Sequence, residues 1–414
     1  MTWKIAAGCL FMMLAAGCGV AEQRGIDVHS ADEQEPIVLR YTSFALGSAQ
    51  TEAIAEFEKQ NPDIRIEMDY IQRVIYTAGL KTRLLGGEPI DVFDVWSPSL
   101  FEEVRRLDDS VYLDLTGSEF LSDYLPSSLE AVTIKGKVYG VPGVMHTDGL
   151  LYNKTMFEEL GLQKPHTWAE FLQVCESLKQ HGIIPIALNS EWWVPQFLFG
   201  SIMSNNGADA SWTRKLENGE LKVNNPILVD AMKKTKEIID RGYVPEDWTT
   251  LKYDQSIDMV GRGKAAMIID GTWDLSDMIA QNPEQSIGFM MVPGDGQMVP
   301  NLNVGSYKVI SAATKHPEEA KRFLAFMNGR EVQEEVAREA LAVPSIKEAQ
   351  VDDPVVRQLA GIITSKDAAL YWPHTISTES LQVSLLEMIN RYLKGEALDQ
   401  VLDEMQSVID SAKK

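Results

Sequence analysis

The chain has 414 residues, of which 45% are apolar and 24% charged, and a formal net charge of −22. That length exceeds a single hydrophobic core and favours two lobes of roughly 150–200 residues each, and the apolar share excludes general disorder. The acidic residues are scattered along the chain, which disfavours nucleic acid and anionic lipid headgroups as partners and suits a neutral or cationic ligand.

Residues 1–17 read as a lipoprotein signal peptide. One basic residue, Lys4, precedes the apolar run Ile5 to Ala16, which is shorter than the ~20 residues a membrane-spanning helix needs. The run ends Leu14-Ala15-Ala16-Gly17-Cys18, which resembles the lipobox, so Cys18 is expected to carry the diacylglycerol and palmitate-type acyl anchor on the extracytoplasmic side of the membrane. Residues 18–35 are polar and acidic and are expected to form a flexible tether. The three cysteines are Cys9, Cys18 and Cys175, which leaves no internal disulfide framework.

From Pro36 the pattern becomes globular. Ile37 to Thr42 reads as a strand, Thr51 to Gln60 as a helix stopped by Asn61-Pro62, and Ile64 to Tyr70 as a strand alternating Ile64, Ile66 and Met68. A helix from about Arg73 to Leu85 closes at Gly86-Gly87 before a buried strand from Val92 to Trp96. Such a βαβαβ opening places ligands at the carboxyl ends of its strands, in the turns Ser43-Phe44-Ala45 and Trp96-Ser97-Pro98. Thr167-Trp168-Ala169-Glu170 forms a capping box, followed by the stripe Phe171, Val174, Cys175 and Leu178 and a strand from Ile183 to Leu188. Pro317 with Glu318 and Glu319 opens another helix, and residues 378–411 read as two final amphipathic helices.

Several segments in order, Gly136-Lys137-Val138-Tyr139-Gly140-Val141-Pro142, Leu151-Tyr152-Asn153-Lys154, Gly263-Lys264-Ala265-Ala266-Met267 and Gly271-Thr272-Trp273, resemble the family 1 extracellular solute-binding proteins, the maltose-binding-protein-like sugar-binding lipoproteins. The resemblance implies an α/β fold of the two-lobe, type II periplasmic-binding-protein kind. Lobe 1 is expected over 36–145 and 279–313, lobe 2 over 146–278 and 314–414, with crossings near His146, Thr272 and Thr314. It further implies a monomer that delivers a carbohydrate to ABC permease subunits.

A sugar needs aromatic plates for its CH-rich face and polar groups for its hydroxyls. Phe44, Trp96 and Ser97 lie in the strand-end turns, and Glu191 precedes the adjacent indoles Trp192 and Trp193, a candidate platform. Trp372, before a final helix, is a further candidate. By resemblance, His146 at the first crossover, Gly271 and Trp273 also line the cleft; the related maltose-binding protein carries a carboxylate where His146 stands. Gly271 is expected to permit close backbone approach.

Catalysis is not expected. The sequence has no G-x-S-x-G elbow or H-E-x-x-H pair, and Gly263-Lys264 is followed by Ala265 rather than a magnesium-binding hydroxyl. The six histidines show no ligand spacing, and no metal or other cofactor is expected. The alternatives are a polyamine, phosphodiester or peptide as ligand and, further off, a lipid-anchored glycoside hydrolase.

Overall fold

The computed structural model describes residues 35–412 except 46, 190, 192–194, 210, 297, 365–368 and 371–374. Along the chain, β1 (Ile37–Ser43), α1 (Ser48–Gln60), β2 (Ile64–Tyr70), α2 (Arg73–Leu85), β3 (Val92–Val95) and α3 (Pro98–Leu107) form the expected βαβαβ opening. The short helix α4 (Pro126–Leu129) and hairpin β4 (Thr133–Ile134) and β5 (Lys137–Val138) follow, then β6 (Gly140–Pro142). The hairpin turns through Lys135 and Gly136 at φ of 50° and 79°, the left-handed region in which glycine carries no steric penalty.

The chain next runs through β7 (Met145–His146), β8 (Asp148–Asn153), α5 (Lys154–Glu159), α6 (Trp168–Gln180), β9 (Ile184–Ile186) and α7 (Pro195–Asn205). Then come α8 (Trp212–Asn218), α9 (Pro226–Asp240), α10 (Tyr253–Gly261), β10 (Ala265–Gly271), α11 (Leu275–Gln281) and β11 (Ile287–Met290). The last part comprises β12 (Asn301–Val304), β13 (Tyr307–Ile310), α12 (Pro317–Met327), α13 (Arg330–Glu339), α14 (Pro354–Ile363), β14 (Ala369–Leu370), α15 (Glu379–Leu393) and α16 (Leu398–Ala412).

Two sheets organise these elements into two lobes. The first has the order β2-β1-β3-β13-β6, with β1 parallel to β2 and β3 and β13 antiparallel to its neighbours. Side-chain alternation sends Leu39, Tyr41, Ile64, Ile66 and Ile310 against Phe57 of α1 and Phe323 and Leu324 of α12. The opposite face sends Phe93, Val95 and Val309 against Tyr76 and Leu80 of α2 and Leu100, Phe101 and Val104 of α3. The second sheet runs β11-β8-β10-β9. One face buries Leu150, Tyr152 and Met267 against α6, α7, α9, α15 and α16, and Cys175 lies inside this core at 0% exposure. The other turns Leu151, Ile268 and Phe289 toward Ile257 and Val260 of α10 and Leu275 and Met278 of α11.

The division of the chain differs from the expected boundaries. Residues 279–313 do not go to the first lobe as a piece: β11 pairs with β8 from Ile287↔Asn153 to Met290↔Leu150, inside the second sheet. Residues 314–414 are likewise split, because α12 and α13 pack on α1, and α12 also on β13. The cause is side-chain fit: Ala320, Phe323 and Leu324 on one face of α12 close over Phe57 and Tyr41. The return from the second sheet to the first therefore lies between Met290 and Tyr307, through β12. A small third sheet, β14-β12-β7, sits at the junction.

Candidate functional site

The carboxyl ends of β1 and β3 are fixed by Asp94. Its Oδ2 accepts from the Tyr41 hydroxyl at 2.9 Å and the Ser43 hydroxyl at 2.5 Å, and Oδ1 lies 3.5 Å from Lys308 Nζ, both members of this ion pair being buried. Directly beyond, Phe44 packs edge-on against Tyr76 at 5.1 Å and Trp96 at 5.3 Å, with the Arg73 guanidinium 5.7 Å from its ring centre. Ser97, expected at a ligand, is buried, and its hydroxyl accepts from Leu100 N at 3.0 Å as the N-cap of α3. Pro98 at the first helical position makes that cap the natural role of the preceding serine.

His146 ends β7 at the crossover. Its Nδ1 lies 3.2 Å from the Thr272 hydroxyl, and its ring meets Trp273 edge-on at 6.0 Å. Burial first, and then the Arg73 charge, push the imidazole down to about 4, so it is neutral at physiological pH. Thr272 N donates to Thr147 O at 2.9 Å, tying the end of β10 to the start of β8. Trp273 also packs on Phe197 of α7 at 5.4 Å. Gly271 leaves room for this indole: a Cβ there would stand 2.0 Å from the ring. The space that the missing Cβ leaves at Gly271 is taken by the Trp273 indole.

On the second lobe, the Tyr253 hydroxyl lies between Asp270 and Asp274. Glu191 is half-buried, and its carboxylate lies 3.5 Å from Lys252 Nζ. Trp192, Trp193, Trp372 and Cys18 lie outside the described residues.

A cavity of about 550 Å³ joins the two lobes, lined by Phe44, Arg73, His146, Asp277, Lys308 and Glu339 among others. The structure thus brings Phe44 and Trp96 together, and His146, Gly271 and Trp273 together, with the cavity touching both groups through Phe44 and His146. Across the lobes, Ser99 Oγ donates to Gln382 Oε1 at 2.7 Å, Ser380 N to Glu103 at 3.0 Å, and Thr77 to Glu379 at 3.2 Å. Burial raises the Glu379 carboxyl to about 7. Among the described residues no group of three or more His, Cys, Asp or Glu is placed to hold a metal ion, and no helix is long and apolar enough to cross a membrane.

Sequence reasoning missed Arg73, Tyr253, Asp270, Asp274 and Glu379. Asp270 and Asp274 flank the Gly271-Thr272-Trp273 segment, and an acid ending the apolar run Met267-Ile268-Ile269 was the available signal. Glu379 follows the capping Thr378 and looks like an ordinary first-turn carboxylate.

The model of the family described as bacterial extracellular solute-binding protein matches residues 42–334. A multiple sugar-binding protein of Streptococcus mutans is 30% identical over 285 residues, covering 66% of this chain and 66% of that protein. Among solved structures, a chitin oligosaccharide binding protein superposes with a TM-score of 0.81 at 22% identity, covering 91% of this chain and 99% of the other. The solute-binding protein RafE in complex with raffinose gives 0.79 at 23% identity, with 91% and 100% covered. These two likenesses establish the two-lobe fold.

Proposed function

The chain belongs to the bacterial extracellular solute-binding proteins, and from that premise we propose that it captures a sugar or short oligosaccharide between its lobes and delivers it to the permease of an ABC importer. The observation that carries this reading is the joint cavity, with Phe44 on its first wall, backed by Trp96, and His146, backed by Trp273, at the crossover. Aromatic faces supply apolar cover for the CH-rich side of a pyranose, while buried donors and acceptors meet its hydroxyls. Ligand spanning both lobes stabilises the closed arrangement only through the contacts it gains there, and closure is what a permease reads.

Around this reading we place a lipid anchor at Cys18 that holds a monomer at the outer face of the cell membrane, with residues 18–35 as the tether. The protein binds without transforming its ligand. Its lobes are proposed as residues 36–145 and about 305–364 for the first, and 146–290 and 378–412 for the second, following the strand pairing and the helix packing.

Thermal unfolding of the purified protein against raffinose, chitin oligosaccharides, monosaccharides, polyamines and phosphodiesters tests the function. A ligand at 100 times its Kd adds about 2.7 kcal/mol, and the shift is expected for a set of related sugars and to be lost in Trp273→Ala with the far-UV spectrum unchanged. A shift only with a polyamine or phosphodiester would refute the carbohydrate reading and keep solute binding.

A further inference from the structure

The Tyr253 hydroxyl lies 2.7 Å from Asp270 Oδ2, is in still closer contact with Asp274 Oδ2, and receives Trp273 Nε1 at 3.3 Å. The indole N–H only donates. A phenol carries one hydrogen, so it satisfies one carboxylate; the second can approach the same oxygen favourably only as an acid that donates its own proton. Two ionised carboxylates here would also set like charges together, with Asp270 fully buried and Asp274 half-buried. The acid count at this oxygen is therefore one proton short of two neutral carboxyls and one more than two anions. Asp270 is anchored besides, its Oδ1 accepting from Gly271 N at 2.7 Å.

We propose that Asp270 and Asp274 hold one proton between them at the Tyr253 hydroxyl at neutral pH, and that this shared proton fixes the Trp273 indole behind His146 of the cavity wall, making ligand affinity pH-dependent. The proposal deepens the sugar-binding reading, and rests on it only for the ligand. Burial first, and for Asp270 also the Asp274 charge, raise both carboxyls above their usual range. The proton is therefore present at low and neutral pH and is lost as pH rises through the pair's titration, releasing Trp273 above it.

Among the described residues the neighbouring charges are these. Arg73 of the first lobe lowers Asp274, and Asp277 on α11 raises it. On α10, Asp254 is exposed and Asp258 pairs with Arg262, while Lys252 just before it pairs with Glu191. Asp148, opposite Gly271 in the sheet register, is bonded to Ser201 and Asn301 instead. His146, on the other side of the indole, titrates at about 4, below the transition sought.

The test needs no sugar. Near-UV circular dichroism of the ligand-free protein is followed over about pH 5 to 10, with Trp273→Phe assigning the indole signal and carboxyl-carbon NMR of labelled aspartate counting the protons. The native protein is expected to lose the Trp273 signal as one shared proton leaves. Asp274→Asn and Asp270→Asn, in which an amide N–H takes the place of the acid, are expected to keep it across the range. Both carboxyls ionised at about pH 6, a flat native signal, or an unchanged transition in both Asn variants that fold would overturn the proposal. Where a sugar binds, its apparent Kd is expected to rise up to about tenfold per pH unit above the transition. If none of the sugars binds, the carbohydrate reading fails while the spectroscopic titration still decides the proton.

Discussion

Gly271 and Trp273 are two positions apart and constrain one another. The Gly271 backbone is extended, at φ −83° and ψ 157°, which any residue adopts, so the restriction is space alone. A methyl group there would overlap the indole at 2.0 Å. Gly271→Ala is expected to push Trp273 off Phe197 and His146 and to weaken sugar binding at least tenfold, measured by calorimetry, with little change in the far-UV spectrum. The pair was legible in the sequence as a recurring segment, but which body fills the space beside the glycine was not. Ser97 carries a second, local role: before Pro98 its hydroxyl caps α3 by accepting from Leu100 N. Asp270 was hidden because an acid within an apolar strand makes sense only once Tyr253, seventeen positions earlier in the chain, is seen against it.

Helices that carry their own start signals were the most readable elements. The Thr167 hydroxyl accepts from Glu170 N at 3.2 Å while Glu170 accepts from Thr167 N at 3.2 Å, and α6 begins at Trp168 as the local pattern dictates. Helix α1 begins at Ser48, ahead of the expected Thr51, because its start is completed from a distance. Glu339, at the end of α13, accepts from Ser48 N at 3.1 Å, Ala49 N at 2.9 Å and the Ser48 hydroxyl at 2.7 Å. No window of sequence around residue 48 contains that carboxylate. Glu339→Ala is expected to cost about 1 kcal/mol, the usual loss on removing a helix cap, read as a lower urea midpoint with unchanged slope.

For the whole molecule, the two α/β lobes were legible from the opening βαβαβ pattern and the ordered family segments, whereas the lobe of each later helix was not. An amphipathic stripe states that a helix covers a sheet without saying which one, so α12 and α13 were expected on the second sheet and pack on the first. The junction of the lobes has a comparable hidden element: the start of α15 meets α2 and α3 through Glu379, Ser380 and Gln382, contacts between residues about 280 to 300 positions apart.

The burial of Cys175 supplies a clock for the opening of the second lobe. Burial raises this thiol far above its usual range, so an alkylating reagent meets almost no thiolate while the lobe is folded. In a chain starting at Pro36 it is also the sole cysteine, and modification then reports how often the core around α6 becomes accessible. Labelling followed by mass spectrometry is expected to be slow in dilute buffer, to accelerate in sub-denaturing urea, and to slow again with a bound sugar. Such protection would give a ligand screen that needs no optical signal from the cleft.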